Sequence, residues 1–154
     1  RQLLADLPGL KLQDKLEQTT SKISYYYDAR SAPGVDEINT MLRQHEITAN
    51  VILSFGQYLD TLPSRASKGQ SLRYLSQRLD IMLDNILVAG GSGADEDMMR
   101  GNTLAVVVAN RHHEELSLLP EVDRIYFAQG RYAAGLLEAI DHYDFFGACR
   151  VPES

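Results

Sequence analysis

Leu72, Leu75, Leu79, Met82, Ile86 and Ala89 recur at alternating spacings of three and four, the period of one apolar stripe along an α-helix. Arg73, Gln77, Arg78, Asp80 and Asp84 hold the opposite face. This pattern predicts a helix over about 70–89, packed lengthwise against another. The same period predicts four more. The first covers about 10–30, with Leu12, Leu16 and Ile23 on one side, and Ser31-Ala32-Pro33-Gly34 stops it. The second covers about 35–62, where Val35, Ile38, Leu42, Ala49, Ile52 and Leu59 form a stripe that Met41, Val51, Phe55, Tyr58 and Leu62 widen. So broad a face implies more than one neighbour, as in a bundle core.

Residues 63–69 form a polar loop before the 70–89 helix, and Gly90-Gly91-Ser92-Gly93 ends that helix. Ser92-x-x-Asp95 resembles the capping signal of a further helix over about 94–118. Inside it, Leu104-Ala105-Val106-Val107-Val108 has three consecutive β-branched residues that would suit a strand. One strand without partners is poor architecture, so the segment is read as helix. Pro120 opens the last helix, whose buried side is Val122, Ile125, Tyr126, Ala133, Leu136, Leu137 and Ile140. Gly130, Ala133, Ala134 and Gly135 are small enough to admit another helix closely. The predicted fold is all-α, an antiparallel bundle of four or five helices in a single domain 1–154, with flexible ends at 1–9 and 147–154.

Composition narrows the function classes. The chain has 154 residues, enough to bury a core without disulfides or metal. Its net charge of −6, with both signs interspersed, offers no basic stripe for nucleic acid. A single cysteine, Cys149, excludes an intramolecular disulfide and leaves the compartment open. The longest apolar run, Leu104–Ala109, is far below the ~20 residues that span a bilayer. Beginning at Arg1, the chain reads as an excised domain or a processed product.

Ser71-Leu72-Arg73-Tyr74-Leu75-Ser76-Gln77-Arg78-Leu79 resembles a short motif of the periplasmic sensor domains of nitrate/nitrite sensor histidine kinases. Arg73, Leu75, Ser76, Gln77 and Arg78 are also similar to a signature of the N-terminal domain of type IV pili methyl-accepting chemotaxis transducers. The Gly-rich break and following helix, to about 118, are similar to that layout. The resemblance implies a periplasmic location and a small anion bound through Arg73, with Arg78 beside it, at a dimer interface. Arginine forks suit planar oxyanions, and a two-fold axis would bring two copies of Arg73 together.

Other residues offer weaker chemistry. Glu138 and His142 stand four apart on one helix, and with His45, His112 and His113 they form a candidate metal set. No Glu-x-x-His, His-Glu-x-x-His or His-x-x-x-His occurs, so the di-iron pattern is missing. Cys149 has no His or Asn at a diagnostic spacing for a nucleophile. The Gly90–Gly93 loop is followed by acidic residues at 95–97 that would repel phosphate, and it reads as a linker. Tyr25, Tyr26, Tyr27, Tyr143, Phe145 and Phe146 are the candidate interaction surface, since exposed aromatics favour protein interfaces.

The leading expectation is a non-enzymatic binding module that recognises a protein partner or self-associates, with no cofactor, no nucleic acid and no membrane-spanning segment. An anion sensor for signal transduction and a histidine/carboxylate metal bundle are the alternatives.

Overall fold

The computed structural model describes residues 2–116, 119–120 and 122–149, and the chain divides into two units, Arg1–Ser67 and Lys68–Ser154. In the first unit, helix α1 (Gln2–Ala5), strands β1 (Leu10–Leu12) and β2 (Ile23–Tyr27), helix α2 (Val35–Gln44) and strands β3 (Ala49–Ser54) and β4 (Tyr58–Pro63) follow in order. The strands form an antiparallel sheet in the order β1-β2-β4-β3. Side chains alternate between its faces. Tyr25, Val51 and Leu59 pack with Ile38 and Leu42 of α2 and Leu4 of α1 in one core.

The stripe Val35, Ile38 and Leu42 is thus helical as expected, but the helix stops at Gln44. Glu46 takes a left-handed φ of 58°, and such a residue commonly closes a helix. The apolar positions beyond it belong to a hairpin. Its turn carries Phe55 and Gly56 at φ 55° and 62°, closed by the Gln57 N–H donating to the Ser54 carbonyl at 3.2 Å. Two successive positive φ values reverse the chain with a twist that suits paired strands.

The second unit runs α3 (Lys68–Leu79), β5 (Leu87–Gly90), α4 (Glu96–Met99), β6 (Leu104–Val107), α5 (His113–Leu116), β7 (Ile125–Phe127), α6 (Ala133–His142) and α7 (Phe145–Ala148). Its three strands are parallel, in the order β5-β6-β7. Central β6 is covered on both faces, which explains its unbroken apolar run. Ala105 and Val107 enter a core with Val88, Met99, Leu116, Leu119 and Ile125. Val106 enters another with Ala128 and Ala139.

The all-α bundle is therefore overturned; the architecture is mixed α/β. The strand character of Leu104–Val107 was visible, and its partners are β5 and β7, both inside segments expected to be helical. The 70–89 stripe fails after Leu79 because Asp80 turns left-handed at φ 52°. Its buried side is Gly69, Leu72 and Ser76, while Leu75 and Leu79 stay more than half exposed at 52% and 57%. The small residues near 135 do admit a close neighbour, but a strand end and its loop rather than a helix. A Cβ on buried Gly135 would lie 2.5 Å from the Gly130 carbonyl oxygen and 3.1 Å from Ala128 Cβ.

Two substitutions probe this packing. Gly135→Val is expected to lower unfolding free energy by about 1–3 kcal/mol, because the overlap is with backbone. Thr61, on the core face of β4, buries Oγ1 with no hydrogen-bond partner among the described residues. Thr61→Val should therefore leave stability unchanged or raise it by up to about 1 kcal/mol. Denaturant midpoints measure both.

Candidate active site

In parallel α/β sheets, ligands bind beyond the carboxyl ends of the strands. Those ends here are the residues after Gly90, Val107 and Phe127. The loop after β5 is organised by one carboxylate. Asp95, only 8% exposed, folds back over Gly90, where any Cβ would overlap its side chain. Its Oδ2 accepts from the Gly91 N–H at 2.9 Å, the Ser92 N–H at 3.1 Å and the Ser92 hydroxyl at 3.3 Å. Its Oδ1 accepts from Lys68 Nζ at 2.5 Å. Burial pushes the Asp95 carboxyl up, but the Lys68 ammonium and the two backbone amides together outweigh it and hold the group below its ordinary value.

A second carboxylate clamps the same loop. Glu115 of α5 accepts from the Gly93 N–H at 2.5 Å and lies 3.5 Å from His112 Nδ1. The loops after β5 and β6 are further joined by backbone bonds: Val108 N–H to the Gly90 carbonyl at 3.1 Å and His112 N–H to the Gly91 carbonyl at 2.7 Å. Lys68 opens α3, and Gly69 beside it leaves no Cβ to collide with Asp97. The Lys68 side chain remains 56% exposed while that of Asp95 is 11%. The pair thus presents one cation at the strand ends, anchored from beneath by a buried anion.

Of the expected site residues, His112 stands at this loop, beside Glu115. Arg73 is engaged inside the unit, donating to the Asp97 carbonyl at 3.1 Å and approaching its Oδ1 at 3.5 Å; Arg78 is exposed on the last turn of α3. His45 is exposed and bonds the Met41 carbonyl through Nδ1 at 2.9 Å, at the end of α2. Glu138 accepts from the Gln129 N–H at 2.9 Å, and His142 stacks on Tyr126 at 4.3 Å. His113 starts α5, and its side chain lies outside what the structure describes. Tyr25 is core, Tyr26 is exposed, and Tyr27 donates to the Pro33 carbonyl at 3.2 Å. Tyr143 donates to the Ala105 carbonyl at 3.2 Å, and Phe145 meets Phe146 edge-on at 6.0 Å.

From the sequence, no site role is assigned to Lys68 or Glu115, and Ser92 and Asp95 are taken only as a helix-capping signal in a linker. A signal for them existed: Leu87-Val88-Ala89 directly before Gly90-Gly91-Ser92-Gly93 is a short apolar run ending in a Gly-rich turn, which fits a buried strand.

Residues 1–144 match the sucrose-6F-phosphate phosphohydrolase family. The chain belongs to this family. It is 30% identical over 138 residues to the mannosylfructose-phosphate phosphatase of Agrobacterium fabrum, covering 89% of this chain and 56% of that protein. It is 33% identical over 146 residues to sucrose-phosphatase 2 of Nicotiana tabacum, covering 88% and 34%. The chain thus spans about a third to just over half of these relatives' lengths. The crystal structure of the Synechocystis sucrose-phosphatase with sucrose and phosphate superposes with a TM-score of 0.86 at 36% identity, over 93% of this chain and 60% of that one. A haloacid dehalogenase-like hydrolase from B. subtilis shares the fold, with a TM-score of 0.57 at 18% identity over 84% of this chain.

These findings overturn the resemblance to kinase and transducer sensor domains and its signalling role. They equally overturn the non-enzymatic binding module, since the family and its relatives are phosphatases. No described helix is long and apolar enough to cross a membrane.

Phosphoryl-transfer sites commonly recruit a divalent cation to screen the phosphoryl oxygens. Such an ion needs several converging oxygen ligands. The donor set here does not fit one: among the described residues no group of three His, Cys, Asp or Glu side chains could hold a metal. The Asp95 oxygens already accept four hydrogen bonds.

Because the folded-state value of Asp95 lies below its unfolded one, the stability it contributes is present above about pH 4 and lost as pH falls through the folded value. Asp95→Asn is expected to cost about 1–3 kcal/mol at neutral pH, since it leaves buried donors poorly matched. Its deficit against the wild type should narrow below about pH 4. Thermal melts across that range read both.

Proposed function

We propose that this chain is the phosphate-holding part of a sugar-phosphate phosphatase, with Lys68 as the cation that meets the phosphoryl oxygens. The observation that carries this reading is the Lys68 ammonium fixed at 2.5 Å by the buried Asp95 carboxylate beyond the ends of the parallel strands. Catalysis of phosphoryl transfer is largely positioning and charge stabilisation. A half-exposed ammonium held in one place supplies both without reorganising. The amides of Gly91, Ser92 and Gly93 are committed to Asp95 and Glu115, so the side-chain cation carries the interaction.

Family membership and the relatives' names support a phosphorylated disaccharide as the substrate. Sucrose phosphate and mannosylfructose phosphate share a fructosyl unit, and the named relatives divide between them. In the full-length protein, orthophosphate release from sucrose-6F-phosphate tests the reading. Lys68→Met should lower kcat/KM by about 10²–10³-fold, the scale of losing one charge-stabilising donor, with Lys68→Arg retaining more. Equal activity in Lys68→Met, or no release from any disaccharide phosphate, would overturn it.

A further inference from the structure

We propose that Asp95 is a positioning residue for Lys68 and not a ligand to a divalent cation, so that the turn at residues 90–95 after β5 brings Lys68, and no metal-binding carboxylate of its own, to the site. This inference rests on the phosphate-holding reading of Lys68 and refines it.

Three observations converge. A carboxylate offers about four lone-pair sites; Oδ2 of Asp95 accepts from the Gly91 and Ser92 amides and the Ser92 hydroxyl, and Oδ1 accepts from Lys68. A divalent cation on Oδ1 would have to displace the ammonium or sit beside it, against like-charge repulsion. On Oδ2 it would strip amides of a buried loop, each of which is costly to leave unmade.

The second observation is the absence of a carboxylate at Gly90 and Gly91 at the end of β5, where the space for a side chain is filled at the first and tight at the second. A Cβ at Gly90 would overlap Asp95, and one at Gly91 would come within 3.2 Å of Val108 Cγ2 and 3.4 Å of Arg111 Cα. Third, Glu115, the other carboxylate bonded to this loop, is 5% exposed at its side chain. One of its oxygens accepts the Gly93 N–H and the other faces His112. Asp95 and Glu115 both face inward and hold the loop together.

The test uses the full-length protein, with Mn²⁺ followed by its spin-resonance signal and inorganic phosphate by calorimetry. In Asp95→Asn, Mn²⁺ affinity is expected to stay within about twofold of the wild type, while phosphate binding weakens by about tenfold. Asp95→Glu keeps the charge, should restore part of the phosphate affinity, and also serves if the asparagine variant fails to fold. A loss of Mn²⁺ affinity of about tenfold or more in a folded Asp95 variant would overturn the proposal. So would unchanged phosphate affinity in Asp95→Asn where Lys68→Met weakens it. Failure of the underlying reading looks different: Lys68→Met would then leave phosphate binding untouched, whatever Mn²⁺ does.

Discussion

A carboxylate taken out of water is tolerated only where charge and hydrogen bonds replace its hydration. Asp95 meets that condition with one ammonium, two backbone amides and one hydroxyl. Each partner is thereby located: the two amides set the path of the chain leaving β5, and Lys68 sets the start of α3. Glu115 imposes the same demand on Gly93 from α5. The loop after β5 is short, Gly-rich and flexible by composition, and two buried acids make it rigid. Glycine is required at Gly90 because the Asp95 side chain occupies the space of a Cβ.

The sheet beneath supplies the fixed frame. β6 is buried on both faces and pairs in parallel with β5 and β7, so the segments leaving all three strands emerge at one end. They are tied there by backbone bonds from Val108 and His112 to the β5 loop, and from Ala109 to the Gly130 carbonyl. A displacement of any one segment would break hydrogen bonds of another. Gly135 lets α6 lie near enough to seal the outer face of β6.

Much of the local structure was legible in the residues. Val35, Ile38 and Leu42 mark α2, the stretch from Lys68 to Leu79 is helical, and Ala133–His142 forms α6. The boundaries were not legible, because the chain turns left-handed at Glu46, Asp80, Tyr132 and Asp144, where no glycine announces it. Period counting then ran helices through β1 and β2, in the stretch 10–30, and through β3, β4, β5 and β7. Ile86 and Ala89 matched a helical stripe although neither lies on α3. For β6 the strand signal was present and was set aside for want of partners. The pairing of Lys68 with Asp95 joins positions 27 apart, and only the tertiary fold brings them together.

The charge arrangement also separates two tasks that a phosphatase for sugars has to perform. On the proposed reading, with the loop amides committed inside the protein, attraction of the phosphoryl group falls to one ammonium, a compact point charge with rotatable donors. Such a group attracts any phosphate monoester and does little to distinguish one sugar from another. Discrimination between disaccharide phosphates then depends on groups that touch the sugar, where an unmatched hydroxyl or a buried donor left unpaired carries the larger energetic difference. Affinity for phosphate and selectivity for the sugar are, on that reading, set by different residues, so that changes in one need not disturb the other.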